Sequence, residues 1–190
     1  YMCQIADKMY WSSDSSSNKI FELKYSGGAW VKTVSTDTTY PADAKYLIAN
    51  SGRVFAYDPS GNQIFVSTIL PDLASTSTLF TTGGTTINPF KVGTGAETVT
   101  GMYSWVGTNV VVFCESSVYV VDTNPLTAAA ATAGNATSTF TIRQVSNKSG
   151  AISHRAVAQV GEDLLYLSRD GVRSLKRTMA EEMVADTAGV

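Results

Sequence analysis

IADKMYWSSDSSSNKIFEL (residues 5–23) and IANSGRVFAYDPSGNQIFV (residues 48–66) say nearly the same thing twice. The offset is 43 at the first residue (48 − 5) and 44 at the shared Ile-Phe pair (Ile20 to Ile64). The pattern continues in MYSWVGTNVVVFCESSVYVV (102–121) and AVAQVGEDLLYLSRDGVRSL (156–175). Each stretch reads as an apolar strand, a tight turn, a second strand, a polar turn and a third strand. The turn glycines Gly52, Gly107 and Gly161 lie 55 and 54 residues apart. The leading residues of the third strands, Ile20, Ile64, Val118 and Val172, lie 44, 54 and 54 apart.

A fourth strand is expected in three of the units, over 29–34 (AWVKTV), 88–92 (NPFKV) and 139–145 (TFTIRQV). In the last of these Phe140, Ile142 and Val145 are expected mostly on one side. The outer strand of the fourth unit is not seen. Four short antiparallel strands in about 40 to 55 residues is the pattern of a β-propeller blade. A single such sheet cannot bury its faces alone, whereas stacked sheets can. The nearly continuous apolar runs VVVF (110–113) and DLLYL (163–167) are expected to be covered on both faces. The fold expected is therefore all-β, a β-propeller with about four blade-like repeats near 2–34, 45–92, 98–145 and 155–177, possible as part of a larger wheel. Residues 178–190 are expected to be a linker or the start of a helix. The sequence starts at Tyr1 and is expected to be processed or cut from something longer.

Composition agrees with short strands and turns. The 190 residues are 44% hydrophobic and only 16% charged, with a net charge of −2. Mild acidity argues against a nucleic-acid footprint, and no apolar run is long enough to span a membrane as a helix. No cleavable signal sequence is visible. Polar inserts at 73–88 and 126–138 are expected to be surface loops, with a helical turn available at 128–131. Cys3 and Cys114 lie in strand-like stretches and are expected to be buried thiols.

Chemical motifs are sparse. Asp14 and Asp58 are expected to be turn residues bonding their own backbone. Gly93-Thr94-Gly95-Ala96 lacks the lysine and spacing of a phosphate loop and reads as a turn. His154 is the single histidine, has no Ser or Cys partner in sequence and is expected to be structural. Glycoside hydrolysis would need two placed carboxylates, and a sialidase converging arginines. Four of the six arginines instead fall together, at Arg155, Arg169, Arg173 and Arg177. The basic stretch RDGVRSLKR (169–177) is flanked by Asp170, Glu181 and Glu182 and is expected to be a solvated strand edge. Asn135-Ala-Thr and Asn147-Lys-Ser match the glycosylation acceptor pattern. No catalytic, cofactor-binding or metal-binding residue is assigned, no cofactor is expected, and the chain is not expected to be an enzyme.

YWSSD (10–14) followed by NKIFEL resembles the YWTD-type repeats of six-bladed extracellular propellers. A second resemblance is broader. GRVFAYDPSGNQIFVSTILPDL (52–73), INPFKVGTGAETVTGMYSWVGTNVVVFCESSVYVVD (87–122) and FTIRQVSNKSGAISHRAVAQVGEDLLYLSRDGVRSL (140–175) follow one another in order. Together they resemble the propeller proteins of tailed-phage virions, of the packaged-DNA stabilisation or head-completion type and the tail nozzle type. The best matches are Thr100-Gly101, Asn109 to Val121 and Ser149 to Leu175, and the likeness covers about 125 of the 190 residues. It carries strand and turn patterns and no catalytic residue. It implies a structural protein of the virion tail or head-tail junction, a rigid assembly and DNA-channel element. The partners implied are neighbouring tail or portal/adaptor proteins and further copies in a symmetric homo-oligomer. Packaged DNA would be touched only in passing, and no membrane is implied. The alternative is a non-viral β-propeller ligand- or protein-binding module.

Overall fold

A computed structural model describes residues 1–5, 8–12, 20–34, 44–67, 81–82, 85–86, 89–123 and 140–187. The fold is all-β, built from antiparallel meanders. The first sheet has four strands: β1 (Met2–Ile5), β2 (Lys8–Trp11), β3 (Phe21–Ser26) and β4 (Ala29–Val34). The second has three: β5 (Lys45–Asn50), β6 (Arg53–Asp58) and β7 (Gln63–Val66). β8 (Thr81–Thr82) and β9 (Thr85–Thr86) form a short ladder. The next four-stranded sheet holds β10 (Val99–Ser104), β11 (Asn109–Cys114), β12 (Val118–Asp122) and β13 (Thr141–Ser146). The last has β14 (Val157–Val160), β15 (Asp163–Ser168) and β16 (Gly171–Ser174), and runs straight into helix α1 (Leu175–Thr187).

Turn chemistry sets the meanders. Ser51-Gly52 closes the β5–β6 hairpin with both φ angles positive, 49° and 70°. That is the twist a two-residue hairpin needs, and glycine adopts it without a Cβ penalty. Asp58 does what the sequence predicts. Its Oδ1 accepts from the Ser60 amide at 2.9 Å and from the Ser60 hydroxyl at 2.6 Å.

The chain divides into two compact units, residues 1–91 with 123–140, and 92–122 with 141–190. In the first, Tyr10 and Ile20 pack with Leu47, Val54, Ala56 and Phe65, so one face of the first sheet closes on the second sheet. In the other unit, Val111, Phe113, Val118 and Val120 pack with Leu164, Tyr166 and Leu175. Every residue of β6 is buried, as are Val110 to Cys114 in β11, as expected for strands covered on both faces.

Four local expectations need correction. β15 alternates instead of being covered on both faces: Leu164 and Tyr166 are buried, Leu165 is half-buried and Leu167 is exposed. The stretch 88–92 is not a strand. Phe90 makes one bridge to Ile64, with N···O distances of 2.8 and 3.0 Å. The next bonding position along that ladder is Val92, whose carbonyl instead accepts from Gly95 N at 3.0 Å as the chain turns. Phe140, just before β13, and Val145 within it are buried, but Ile142 is exposed. The register slips there, with Val118 opposite Ser146 but Tyr119 opposite Gln144, so Val145 is an extra residue that breaks the alternation. Finally, of the two alternatives for 178–190 the helix holds, but as α1 it already starts at Leu175, and it packs on β13, β15 and β16. Asp14, most of the insert 73–88, and the insert 126–138 with its helical turn lie outside the described residues.

Candidate functional site

The basic stretch at the β15–β16–α1 junction lines an open groove of about 330 Å³, with Leu165, Asp170, Val172, Arg173, Arg177 and Glu181 on its walls. Each cation has a carboxylate. Arg173 Nη2 lies 3.5 Å from Asp170, and Arg177 Nε lies 2.8 Å from Glu181. Arg169 Nη2 lies 3.1 Å from Glu115, and Lys176 Nζ lies 3.0 Å from Glu162. These pairs are solvent-exposed and individually weak. Together they neutralise the stretch, which is what a solvated strand edge requires and a phosphate site does not.

Asp163 holds this junction together. Its carboxylate accepts from the Leu164 amide (2.8 Å), the Lys176 amide (3.0 Å) and the Ser174 hydroxyl (2.6 Å). Ser174 Oγ in turn accepts from the Arg177 amide at 3.1 Å, capping α1. Asp163→Ala is expected to cost about 2 kcal/mol, about 1 for the lost cap and about 1 for the other two bonds together, which partial exposure to solvent weakens. Urea denaturation measures it, and a cost near zero would show that α1 is held by packing alone.

Glu97 makes a similar clamp. It accepts from the Ser116 amide at 3.1 Å and from the Ser116 and Ser117 hydroxyls, fastening the 92–98 loop to the β11–β12 turn. Gly93-Thr94-Gly95-Ala96 is the turn that the sequence predicts, closed by Gly95 N donating to Val92 O at 3.0 Å. His154 stacks on Tyr103 with ring centroids 4.6 Å apart, and Tyr103 Oη donates to the His154 carbonyl. Cys114 is buried, while Cys3 is only half-buried, short of the expected burial. Desolvation pushes Cys3 up to about 12 and Cys114 up to about 11, so both thiols stay protonated and unreactive near neutrality. Among the described residues, no three His, Cys, Asp or Glu side chains stand together as metal ligands. Nor is any helix among them long and apolar enough to cross a membrane.

These groups set an acid limit with a worked sign. Burial, with the neighbouring Arg155 charge, holds His154 below its ordinary value of 6.5. The unfolded chain therefore binds a proton there that the folded chain resists, and stability begins to fall as pH drops through 6.5. For Glu97, burial pushes the carboxyl up, but the Ser116 and Ser117 hydrogen bonds outweigh it and hold it below 4.5. Burial also opposes Asp163, where Ser174, the two amides and the Lys176 charge win and hold it below 3.8. Their contribution is complete above those ordinary values and is lost as pH falls through the folded ones. The urea midpoint should fall in two stages between pH 7 and pH 3, and His154→Gln should remove the first. A single stage unaffected by that change would contradict the assignment.

The most unusual surface is one that motif reading missed. In the first sheet the faces are inverted. Register puts Lys8, Tyr10, Glu22 and Lys24 on one face and Met9, Trp11, Phe21, Leu23, Tyr25 and Trp30 on the other. The charged pair faces inward: Lys8 is 1% exposed and lies 3.1 Å from Glu22. The apolar set faces outward, with Met2 and Tyr25 exposed and Trp30 62% exposed. Trp11 and Phe21 stack at 5.3 Å, with Lys32 Nζ 4.3 Å from the Phe21 ring. In KMYW and FELKY one alternating set is apolar and the other carries Lys8, Glu22 and Lys24, so hydrophobicity by itself points the charged set outward, opposite to the structure.

No known family profile matches the chain, and no curated protein is significantly similar to it.

Proposed function

We propose that the chain is a structural element of a tailed-phage virion, placed in the tail or at the head-tail junction. Its sheets belong to a β-propeller that acts as a rigid body. Its exposed faces and loops bind neighbouring tail or portal/adaptor subunits in repeated, symmetric copies, where affinity comes from many identical contacts. No reaction is assigned to it, and packaged DNA touches it only in passing.

The observation that carries the assembly role is the open apolar face of the first sheet. A face richer in aromatic side chains than the face it buries marks a surface meant for cover. The phage assignment itself rests on the resemblance. It gains support because the resembling stretches 87–122 and 140–175 fall largely in one compact unit, 92–122 with 141–190. The groove beside Arg173 favours the second reading, a non-viral propeller module that binds a ligand or protein.

Electron cryomicroscopy of particles from the source material tests the proposal. Repeated density for this chain around a tail or portal axis is the expected result. A free monomer absent from any particle would overturn it.

A further inference from the structure

The third strand of each meander has an outer side, and one of them is bare. β3 is covered there by β4 and β12 by β13, while Ile64 on β7 takes the bridge from Phe90. β16 has no strand on its outer side among the described residues. The chain passes into α1 at Leu175, where a fourth strand would otherwise follow.

Register says which groups this leaves without a partner. The two-residue turn Arg169-Asp170 puts Ser168 opposite Gly171 as a hydrogen-bonded pair. Alternation then turns the N–H and C=O of Val172, and those of Ser174, away from β15. The Ser174 carbonyl accepts from the Thr178 hydroxyl at 2.8 Å, and the Ser174 hydroxyl is taken by Asp163 and the Arg177 amide. The Val172 amide, the Val172 carbonyl and the Ser174 amide have no backbone partner among the described residues.

The groove beside Arg173 follows this edge. Leu165, Val172 and Ser174 belong to one face of the sheet and Arg173 to the other, so a groove lined by all of them runs past the edge itself. Its far wall is α1, through Arg177 and Glu181. The charges on the walls cancel, Arg173 against Asp170 and Arg177 against Glu181. Neither a phosphate nor a cation finds a spare counter-charge there. What is spare is main chain at strand spacing, and its complement is another main chain in the extended conformation.

We propose that the groove between β16 and α1 binds an extended segment of a partner protein, which joins the last sheet as its fourth strand. The segment runs antiparallel to β16, as β13 does to β12, and exchanges bonds with Val172 and Ser174. The four residues of β16 span about 13 Å, so about four residues of the segment are paired. Its side chains alternate: those over Leu165 and Val172 are apolar, and those beside Arg173 are polar. The inference goes beyond both readings of where the chain works and rests on neither, so this test and the imaging test fail separately.

The probe is a short capped peptide of alternating valine and threonine, titrated into the 190-residue chain and followed by NMR. The Val172 and Ser174 amides should shift, with half-saturation at about 1 mM or below, and should exchange about tenfold more slowly near saturation. N-methylation of one alternate set of peptide amides should abolish the response and N-methylation of the other set should leave it, because one set alone faces β16. Val172→Pro removes the donor at an edge position that tolerates proline, so this variant should keep the wild-type circular dichroism and bind at least about tenfold more weakly. Should it not fold, the methylated peptides decide alone. No response at Val172, or equal effects of the two methylated sets, would overturn the proposal. So would a chain that dimerises by itself and becomes monomeric with Val172→Pro, for the occupant of the edge would then be a second copy.

Discussion

Replacing Glu22 by Ala should destabilise the unit built on the first two sheets by about 3–5 kcal/mol, the cost of stranding a buried charge. Lys8 and Glu22 lie 3.1 Å apart with side chains 1% and 8% exposed. They lie on the face of the first sheet that also carries Tyr10, which packs against the second sheet. Desolvating two ions costs several kcal/mol each, and their mutual attraction in a poorly screened site repays it only while both are present. Removing one partner leaves an ammonium that must either stay buried uncompensated or open the sheet to water. The double variant Lys8→Met, Glu22→Leu removes both charges and keeps much of the volume, so it should return stability close to, or above, that of the parent. Urea denaturation followed by the fluorescence of Trp11, on the same strand as Lys8 and opposite Phe21, reads both. A loss under about 1 kcal/mol for Glu22→Ala would mean that the pair behaves as an exposed one.

That pair also shows what the sequence discloses and what it hides. The meanders were legible because their information is local. Period-two alternation and glycines at fixed spacing set strand and turn without reference to the rest of the chain. Thus Gly52, Gly107 and Gly161 all take positive φ, at 70°, 69° and 61°. The side of a sheet that faces inward is a different matter. In β2 and β3 the set Lys8, Tyr10, Glu22 and Lys24 is mostly charged and the other set is apolar, so hydrophobicity alone chooses the wrong face. The choice depends on Lys8 meeting Glu22 across 14 residues, which only strand register decides.

Of the three expected outer strands, 29–34 formed as β4 and 139–145 as β13, and only 88–92 did not. Past Phe90 the chain turns at Val92, whose carbonyl accepts from Gly95 N in place of a sheet partner, and the facing of Ile142 turned on a single inserted residue at Val145. The basic stretch 169–177 was legible as a solvated edge because some of its counter-charges lie nearby in sequence. Its pairing of Arg169 with Glu115, 54 residues away, was not. The open aromatic face was missed because motif reading looks for polar chemistry, and this surface has almost none.

Gly150→Ala should be the most damaging single-methyl change in the unit formed by 92–122 and 141–190. A Cβ at this position would overlap the Cys114 carbonyl oxygen and come within 2.8 Å of its carbon and 2.9 Å of the Glu115 carbonyl carbon. These are backbone atoms, so no side chain can swing aside. Neither partner is free to yield. Cys114 is pinned in β11, and its amide donates to the Ser117 carbonyl at 2.9 Å. On the other side, Ser149 sits in a buried hydroxyl chain with Ser146 (3.1 Å) and Tyr166 (3.4 Å), and Tyr166 reaches Thr178 on α1 at 3.2 Å. The Ala151 carbonyl accepts from Thr100 at 2.7 Å, fixing the residue after the glycine as well. Relief of the clash must therefore move either β11 or the loop with its bonds to β15 and α1. The expected loss is about 3 kcal/mol, at the upper end for overpacking a rigid site. That corresponds to a fall in Tm of roughly 6–12 °C for a chain of this length. Gly161→Ala supplies the contrast. Its φ is 61° but nothing lies within 4 Å of the added methyl, so only backbone strain of about 1 kcal/mol applies. Trp105 fluorescence should report the larger loss for Gly150→Ala, and equal losses for the two variants would show that the 147–153 loop is soft enough to move.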